Sequence, residues 1–347
     1  MISMVDKKIV GLMLFAVVAF SVYGNGQTES SGAGSQEPEF VLKAQGTGAT
    51  GDPAFDTLYL GFGEKVAQKS NGRIKVQFYP SQSLAPDREY LEMMKQGIAD
   101  IFMGSNSTMG LLDPKWDVLG LPYAIPDIET LWKLLDGEPG KALAKSIQSQ
   151  GLRVLAWAYS PSRQFSNNKR EIRKPSDLKG LKIRSPENRP TEEWMRSLGC
   201  DPVVLSFPEM MPALQQGVID GQDVGIVSVK MMNLHQVQKF WTLDDHLYFC
   251  IPVMISEKTW SKLPPDLQKV VQEAAVESSL EQRKVVAEAM PMMIEFAEQN
   301  GVKVTRLTPN EKKAFEDSAR PIYPKFASEI GVDVMDLFFS SMGKTWK

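Results

Sequence analysis

The chain has 347 residues, of which 43% are apolar and 23% are charged, and its formal net charge is −3. This is the composition of an ordinary globular protein, and the absence of a basic excess argues against a nucleic-acid partner. Beyond a short N-terminal leader about 310 residues remain, which is enough for a large core and two lobes.

The first 24 residues have the pattern of a secretory signal peptide. Two lysines (Lys7, Lys8) precede an apolar run, Ile9–Val22, and small residues around Gly24 suit cleavage. The run is shorter than the ~20 residues that a bilayer span needs, and an uncleaved anchor is the alternative. Residues 25–38 are polar and rich in Gly and Ser, which is typical of a flexible tether. We therefore expect export to the periplasm through a cleavable signal peptide.

A strand predicted at Phe40–Ala44 is followed by a literal match to the dinucleotide-binding pattern G-x-G-x-x-G at Gly46–Gly51. That function requires a helix that begins at the middle glycines and an acid at the end of the next strand. Helical periodicity begins only after Pro53, and the next predicted strand, Arg73–Tyr79, is followed by Pro80–Gln82. We therefore expect no cofactor, and interpret the glycines as a loop that lines a ligand cleft.

Two stretches 120 residues apart share one pattern, Lys95–Asp100 and Gln215–Asp220. Each combines the end of a helix, a capping glycine and a short strand that bears an aspartate. A glycine cap before a strand is common, but each copy also precedes a candidate cleft loop, Ser105–Asn106 or Gln222–Asp223. The pattern favours two lobes of similar build.

The boundary between the lobes is predicted where the strand Arg153–Tyr159 ends at Ser160–Arg163, because Pro and Ser end a strand there. A long helix from Pro264 to about Gln299 contains Pro291, which should kink it. Residues 308–347 are predicted as two short helices and a frayed tail. The expected division is residues 39–161 plus about 250–288 in lobe I, and residues 162–249 plus about 289–347 in lobe II.

The most informative stretch runs through a short strand, Leu181–Ile183, which brings Arg184 to its carboxyl end, where open α/β sheets contact ligands. A second strand leads to Ser206–Glu209, a capping box with proline in the first turn. The guanidinium of Arg184 is thus expected to face two loops, one that carries Phe207 and one that carries Asp223.

The runs DLKGLKIRSP and LGCDPVVLSFPEMMPALQQGVIDGQD resemble the signature of the DctP-type solute-binding subunits of tripartite ATP-independent periplasmic (TRAP) transporters. Further motifs agree in the same order: GRIKVQFYPSQSL, REYLEMMKQGIADI, VLGLPYAIPDIETL, HQVQKFWTLDDHLY and SEKTWSKLPPDLQKVVQEAA. The resemblance covers nearly all of the chain beyond about Phe40. It implies a two-lobed α/β periplasmic-binding-protein fold of type II-like topology, with a hinge, a cleft between the lobes and a long kinked helix that braces both.

The resemblance also implies a site. The arginine at position 184 would anchor a ligand carboxylate through two parallel hydrogen bonds, and Arg163 would assist. A surface ion pair is the alternative for an arbitrary arginine, and we keep it for Arg88 and Arg189. By the same resemblance, Phe207 matches an aromatic residue that packs on the ligand, and Ser105 and Asp87 match positions that often line the other wall. With the loop that carries Asp223, the predicted ligand-binding residues are Arg184, Arg163, Phe207, Asp223, Ser105 and Asp87.

Catalysis is poorly supported, because His235 and His246 are the only histidines and no nucleophile, metalloprotease or complete phosphate-loop motif occurs. We expect no enzyme activity, no metal and no cofactor, and a structural role for His246. Cys200 and Cys250 suggest one disulfide or two buried thiols, and the large core favours the latter. No cysteine precedes Cys200, which excludes a lipid-anchored amino terminus.

The chain departs from the family pattern after Asp-Gly-Gln, where Asp223-Val224 replaces the usual Glu-Asn. An amide is therefore missing at Val224, and with Phe207, and Trp194 or Tyr248 nearby, the pocket is predicted to prefer a monocarboxylate with an apolar body. Glu187 and Asn188 also depart from the pattern. The predicted protein is a monomer that captures a small organic acid by lobe closure and delivers it to the membrane permease of a TRAP transporter. The alternative is an extracytoplasmic sensor subunit that signals to a receptor kinase.

Overall fold

The computed structural model describes residues 37–49, 51 and 53–347. The predicted signal peptide and residues 25–36 of the predicted tether lie outside this part. Within the described ranges, no helix combines the length and the apolarity that a bilayer crossing requires.

Strands and helices alternate along the described chain. The strands are β1 Phe40–Gly46, β2 Ile74–Tyr79, β3 Ile101–Met103, β4 Leu152–Tyr159, β5 Arg163–Asn167, β6 Lys182–Ser185, β7 Asp201–Val204, β8 Gly221–Val224, β9 Phe240–Leu247, β10 Cys250–Ser256 and β11 Lys303–Arg306. The helices are α1 Pro53–Lys69, α2 Asp87–Gln96, α3 Met109–Leu112, α4 Ile128–Leu135, α5 Glu138–Gln148, α6 Arg189–Ser197, α7 Phe207–Gln215, α8 Ser228–Met231, α9 Glu257–Trp260, α10 Pro265–Gln299, α11 Pro309–Ala319, α12 Tyr323–Ile330 and α13 Val332–Ser341.

The strands form two mixed sheets, one in each lobe. The first has the order β2-β1-β3-β10-β4 and the second the order β11-β9-β5-β8-β6-β7. In the first sheet β1 lies parallel to β2 and β3, and β3 pairs with the antiparallel β10. In the second sheet β6 lies parallel to β7 and β8, and β8 pairs with the antiparallel β5. The chain crosses from β4 to β5 and back from β9 to β10, so two short segments connect the sheets at one place. This confirms the predicted two-lobed α/β fold with a crossing at residues 160–163.

The predicted repeat has a structural counterpart in hydrogen bonding. Oδ2 of Asp100 accepts from the backbone N–H of Lys43 at 2.8 Å, and Oδ2 of Asp220 accepts from that of Lys182 at 3.0 Å. The backbone N–H of each aspartate also donates to the carbonyl of the same lysine. Asp100 thus connects the start of β3 to β1, and Asp220 connects the start of β8 to β6. The two lobes therefore share this local arrangement.

Local signals in the sequence placed the helix ends correctly. Gly97 and Gly217 have φ angles of 78° and 69°, in the left-handed region that suits glycine after a helix. The capping box at Ser206 is formed, because its backbone N–H donates to Glu209 at 2.9 Å.

Helix α10 spans 35 residues and contacts both sheets. On the first lobe, the side chain of Gln282 accepts from the backbone N–H of Tyr159 and donates to its carbonyl. Nε of Arg283 donates to the carbonyl of Trp157. Further along, the helix contacts α8 and β11 of the second lobe. It continues past Pro291 without ending, so one element braces both lobes as expected.

The prediction of two short C-terminal helices was wrong, since the structure has three, α11 to α13. Pro321 has no backbone N–H to donate and so interrupts the helical hydrogen bonds between α11 and α12. Gly331, at a φ of 98°, separates α12 from α13. Helix α13 packs on α5. The division of residues between the lobes stays a prediction.

Both cysteines are buried and unpaired, as the size of the core indicated. The Cys200 thiol donates to the carbonyl of Leu181 at 3.2 Å, and burial raises the pKa of the Cys200 thiol to about 12. Each thiol therefore acts as a small core residue.

Candidate ligand-binding cleft

A cavity of about 160 Å³ lies between the two lobes. The first lobe contributes the segments that follow β1 and β3 and the start of α2, and the second contributes the ends of β6 and β7 and the start of α7. The structure brings together five of the six predicted site residues around this cavity: Asp87, Ser105, Arg163, Arg184 and Phe207. We call this cavity the cleft.

Arg184 is a buried charged group in the wall of the cleft. It is 3% exposed on β6, and its Nε donates to the carbonyl of Leu205 at 2.9 Å. Within the described chain, no carboxylate lies within ion-pair distance of it. Burial, reinforced by the neighbouring charge of Arg163, lowers the pKa of Arg184 to about 9. A buried guanidinium without a counter-charge is costly, so an anion that entered the cleft would stabilise it.

Arg163 is the first residue of β5 and lies at the crossing between the lobes. Its Nε donates to Oδ1 of Asp223 at 2.6 Å, and its guanidinium lies 5.1 Å from the ring centre of Phe249. Its Nη2 is buried without a hydrogen-bond partner in the described chain. Arg163 is therefore held in one orientation by Asp223 in the wall of the cleft.

Asp223 differs from the expectation of a ligand-contacting residue. It is fully buried behind Arg163 and does not line the cleft. Besides Arg163, its Oδ1 lies 3.1 Å from Nε2 of His246. The charge of Arg163 and of the imidazole outweigh the effect of burial and lower the pKa of Asp223. Its geometry suits the positioning of Arg163.

His246 connects two carboxylates at the rear of the cleft. Its Nδ1 lies 2.7 Å from Oδ2 of Asp244, and its Nε2 faces Asp223. The hydroxyl of Tyr123 also donates to Asp244, at 3.0 Å. Burial alone would lower the pKa of His246, but the two carboxylates raise it to about 9. The ring is thus an imidazolium that donates from both nitrogens, and it has no geometry for a general base.

The first-lobe wall is polar. Asp87 begins α2, and its Oδ2 accepts a long hydrogen bond from Oγ1 of Thr47 at 3.4 Å. Ser105 follows β3 and accepts from the backbone N–H of Ser107. Thr47 belongs to the glycine loop, so this loop lines the cleft as interpreted. Thr47 and Gln82 were not predicted; their only signal is that each follows the carboxyl end of a strand.

A second compartment of about 80 Å³ adjoins the cleft and shares Thr47, Ser105, Arg163 and Phe207 with it. Its other walls are mostly apolar: Phe55, Tyr59, Met103, Val224, Val227 and Ile251. Val224 is 6% exposed at the end of β8. This compartment, which we call the apolar compartment, offers room for the uncharged part of a ligand.

Two aromatic residues expected near the ligand lie elsewhere. Trp194 is fully buried at the rear, where it packs edge-on against Tyr123 and its Nε1 donates to Ser318. Tyr248 packs on the core and lines neither compartment. Trp194 belongs to α6, and its ring packs against Phe165 of β5 and His246 of β9.

The two arginines kept as surface charges differ from each other. Arg189 forms ion pairs with Asp117 and Glu329 outside the cleft, as expected. Arg88 instead lines the cleft from α2.

A larger cavity of about 500 Å³ lies beside residues 123–126 and the C-terminal tail, but its basic side chains are surface residues, and neither Arg163 nor Arg184 lines it. The buried, uncompensated charge makes the smaller cleft the candidate site.

Comparison with known proteins agrees with this geometry. Residues 45–329 match the DctP model, described as bacterial extracellular solute-binding protein, family 7. The C4-dicarboxylate-binding periplasmic protein DctP of Rhodobacter capsulatus is 30% identical over 275 residues, which are 78% of this chain and 82% of that protein.

Solved structures of TRAP periplasmic solute-binding proteins have the same fold. One from Sulfurospirillum deleyianum with bound succinate is 31% identical and has a TM-score of 0.81, covering 88% of this chain and 99% of that one. One from Ralstonia eutropha H16 with bound (S)-2-acetolactate is 28% identical and has a TM-score of 0.82, covering 87% and 98%. The chain therefore belongs to the DctP family and is a TRAP-type extracellular solute-binding protein.

Proposed function

We propose that this protein captures a small carboxylate in the cleft and that Arg184 is its anchor. The single observation that carries the proposal is a buried guanidinium that forms no ion pair within the described residues, on the wall of a cavity between two lobes. A carboxylate would accept two parallel hydrogen bonds from it, and Arg163, oriented by Asp223, would add a further donor. The chemistry agrees with relatives named for C4-dicarboxylate and with neighbours solved with succinate or (S)-2-acetolactate.

Closure of the lobes would follow from contacts on both walls. Arg184 and Phe207 belong to the second lobe, whereas Asp87 and Ser105 belong to the first. A ligand that contacts both walls only when they approach shifts the equilibrium toward the closed form. The two segments that connect the sheets, at residues 160–162 and 248–249, are the proposed hinge, and the lobe boundaries keep the division given above.

Transport is the proposed use of this capture. The mature protein, released from its signal peptide, would act as a monomer in the periplasm and present the closed, loaded form to the membrane permease of a TRAP transporter. The polar stretch 25–38 would separate the cleavage site from the folded domain.

A thermal-shift screen of the mature chain against small organic acids tests the proposal. A ligand that binds only the folded state raises the free energy of unfolding, by about 2.7 kcal/mol at a concentration 100 times its Kd, and therefore raises the melting temperature. We expect carboxylates, and not their methyl esters or amides, to raise the melting temperature, and Arg184→Ala to abolish the response. A set of esters that stabilise the protein as well as the free acids do would contradict the proposal.

A further inference from the structure

The cavity of about 500 Å³ beside the C-terminal tail is separate from the cleft, and we call it the C-terminal cavity. Its walls come from residues 123–126, the segment that leads from α11 into α12, and residues 343–347, with Phe339 of α13. Among the described residues, none lines both this cavity and the cleft. Small-molecule sites have volumes of about 300–1,000 Å³, so the C-terminal cavity is large enough to hold a ligand of its own.

The charged side chains around this cavity are mostly basic. Lys312, Arg320, Lys344 and Lys347 line it, and Glu316 is the one acidic side chain that does so within the described ranges. The whole chain has a formal net charge of −3, so the positive excess is local. Like charges that surround one space repel each other, and an anion between them relieves this repulsion.

The cations of the cavity also lack the close carboxylates that neighbouring basic residues have. Neither Lys312 nor Lys344 forms an ion pair within the part of the chain that the structure describes, and Arg320 approaches a carboxylate only to 4.0 Å. By contrast Lys313 and Lys325, which lie on α11 and α12 but do not line the cavity, pair with carboxylates at 2.8 Å. On this segment the weakly paired charge therefore faces the cavity.

Part of the lining is apolar and is fixed by hydrogen bonds. Tyr123 and Phe339 are buried side chains of this lining. The backbone N–H of Tyr123 donates to the carbonyl of His246 at 2.7 Å, and the hydroxyl of Tyr323 donates to the carbonyl of Pro122 at 2.7 Å. A ligand would therefore meet a preformed apolar surface next to several cations, which lowers the cost of ordering on binding.

We propose that the C-terminal cavity binds a small multivalent anion with an apolar or aromatic body. Its negative groups contact Lys312, Arg320 and Lys344, and its body packs on the buried side chains of the lining. This site goes beyond carboxylate capture by Arg184 and does not depend on it, because the two cavities have separate walls. A monovalent acid neutralises only part of the positive charge and binds more weakly.

The alternative is that these basic residues only keep the surface charged and the protein soluble. Anions would then screen them according to ionic strength alone. The affinity of one molecule would depend neither on its apolar body nor on any single lysine. A specific site instead predicts saturable binding of one anion per chain, with a preference for both charge and shape.

Isothermal titration calorimetry on the Arg184→Ala protein tests the C-terminal cavity without the cleft anchor. Benzene-1,3,5-tricarboxylate is the probe, benzoate has the same ring with one charge, and propane-1,2,3-tricarboxylate has the same charge without the ring. We expect the probe to bind about tenfold more tightly than benzoate and about fivefold more tightly than the propane acid. No saturable binding of the probe, or equal binding of all three, would overturn this inference and leave carboxylate capture in the cleft intact.

Charge variants locate the bound probe. Lys312→Ala/Arg320→Ala should weaken its binding about tenfold, and Lys344→Glu should weaken it independently. Lys313→Ala is the matched control, because this lysine of the same helix does not line the cavity. All of these side chains are at the surface, so the variants should melt like the parent protein. With Arg184 intact, the double variant should keep its response in the thermal-shift screen, so the two proposals fail separately.

Trp346 supplies a local signal. Its side chain lines the cavity, and its Nε1 donates to Asp336 at 2.7 Å. Tryptophan fluorescence should therefore change as the probe binds, and Trp346→Phe should remove this change. Binding that is undiminished in Lys312→Ala/Arg320→Ala, or a fluorescence change that persists in Trp346→Phe, would place the anion elsewhere and overturn this inference.

Discussion

Nε of Arg163 donates to Oδ1 of Asp223 at 2.6 Å, and Asp223 is completely buried. Because the same oxygen also faces the His246 imidazolium, one carboxylate interacts with two buried cations at the junction of the lobes. Loss of one partner from a buried ion pair typically costs about 3–5 kcal/mol, since the remaining charge is left uncompensated. The orientation of Arg163 in the cleft therefore depends on a residue that never contacts the ligand.

Asp223→Asn should reduce the free energy of unfolding by about 3–5 kcal/mol at pH 7. Urea denaturation followed by circular dichroism measures this change. Asp201→Asn is the matched control, because Asp201 is exposed on the neighbouring strand β7 and should change stability little. Equal stability of Asp223→Asn and wild type would show that the carboxylate does not compensate the two cations.

His246 predicts a specific dependence of stability on pH. Its pKa is about 9 in the folded protein against an ordinary value near 6.5, a difference that corresponds to about 3 kcal/mol. Because the folded-state pKa is raised, this contribution is fully present below pH 6.5 and is lost as the pH rises through 9.

The melting temperatures of wild type and His246→Gln should therefore differ most near pH 6 and converge between pH 6.5 and about 9. Differential scanning calorimetry across that range measures the difference, and His235→Gln is the control because His235 lies outside this network. A gap between wild type and His246→Gln that stays constant across the range would mean that the ring is not charged in the fold.

Local sequence signals predicted the elements that carry the cleft. Capping boxes, glycine caps and prolines act within a few residues, so the start of α7 at Phe207 and the position of Arg184 near the carboxyl end of β6 could be located before the structure was known. The same locality explains why the repeat at Asp100 and Asp220 was visible, because each aspartate lies three residues after its capping glycine.

The network behind the cleft could not be predicted in this way. Arg163 and Asp223 are 60 residues apart, and Asp223 and His246 are 23 residues apart. Their contact depends on the antiparallel pairing of β5 with β8 and β9, where the register shifts between Arg163 and Phe165. A shift of this kind changes which side chains face each other, and no periodicity in the sequence encodes it.

Val224 predicts which acids bind poorly. It lines the apolar compartment and cannot hydrogen-bond a buried hydroxyl, which costs about 1–3 kcal/mol per unpaired group. Val224→Asn should therefore strengthen binding of a sugar acid such as gluconate, and weaken binding of a branched acid such as 2-hydroxy-4-methylpentanoate. Calorimetry with both acids on both proteins measures the change in preference. Tighter binding of gluconate by the wild-type protein would contradict the role of Val224.

If the protein is exported through a cleavable signal peptide, its mature form should begin after the apolar run. Cleavage after the apolar run Ile9–Val22 should produce a chain that begins near Asn25–Gln27. Periplasmic extraction followed by intact-mass spectrometry measures it, with Lys7→Glu/Lys8→Glu as a variant that should accumulate uncleaved protein. Recovery of the chain with Met1 from the cytosol of wild-type cells would contradict an extracytoplasmic role.

The central claim concerns Arg184 and is tested by isothermal titration calorimetry of the tightest-binding acid from the thermal-shift screen. Arg184→Ala leaves a buried carboxylate unpaired at about 3–5 kcal/mol, which is a loss of roughly a hundredfold to several-thousandfold in affinity. Arg184→Lys should also weaken binding, since an ammonium cannot reproduce the planar fork, whereas Arg189→Ala, outside the cleft, should bind like wild type. An Arg184→Ala protein that binds this acid as tightly as wild type would contradict the account.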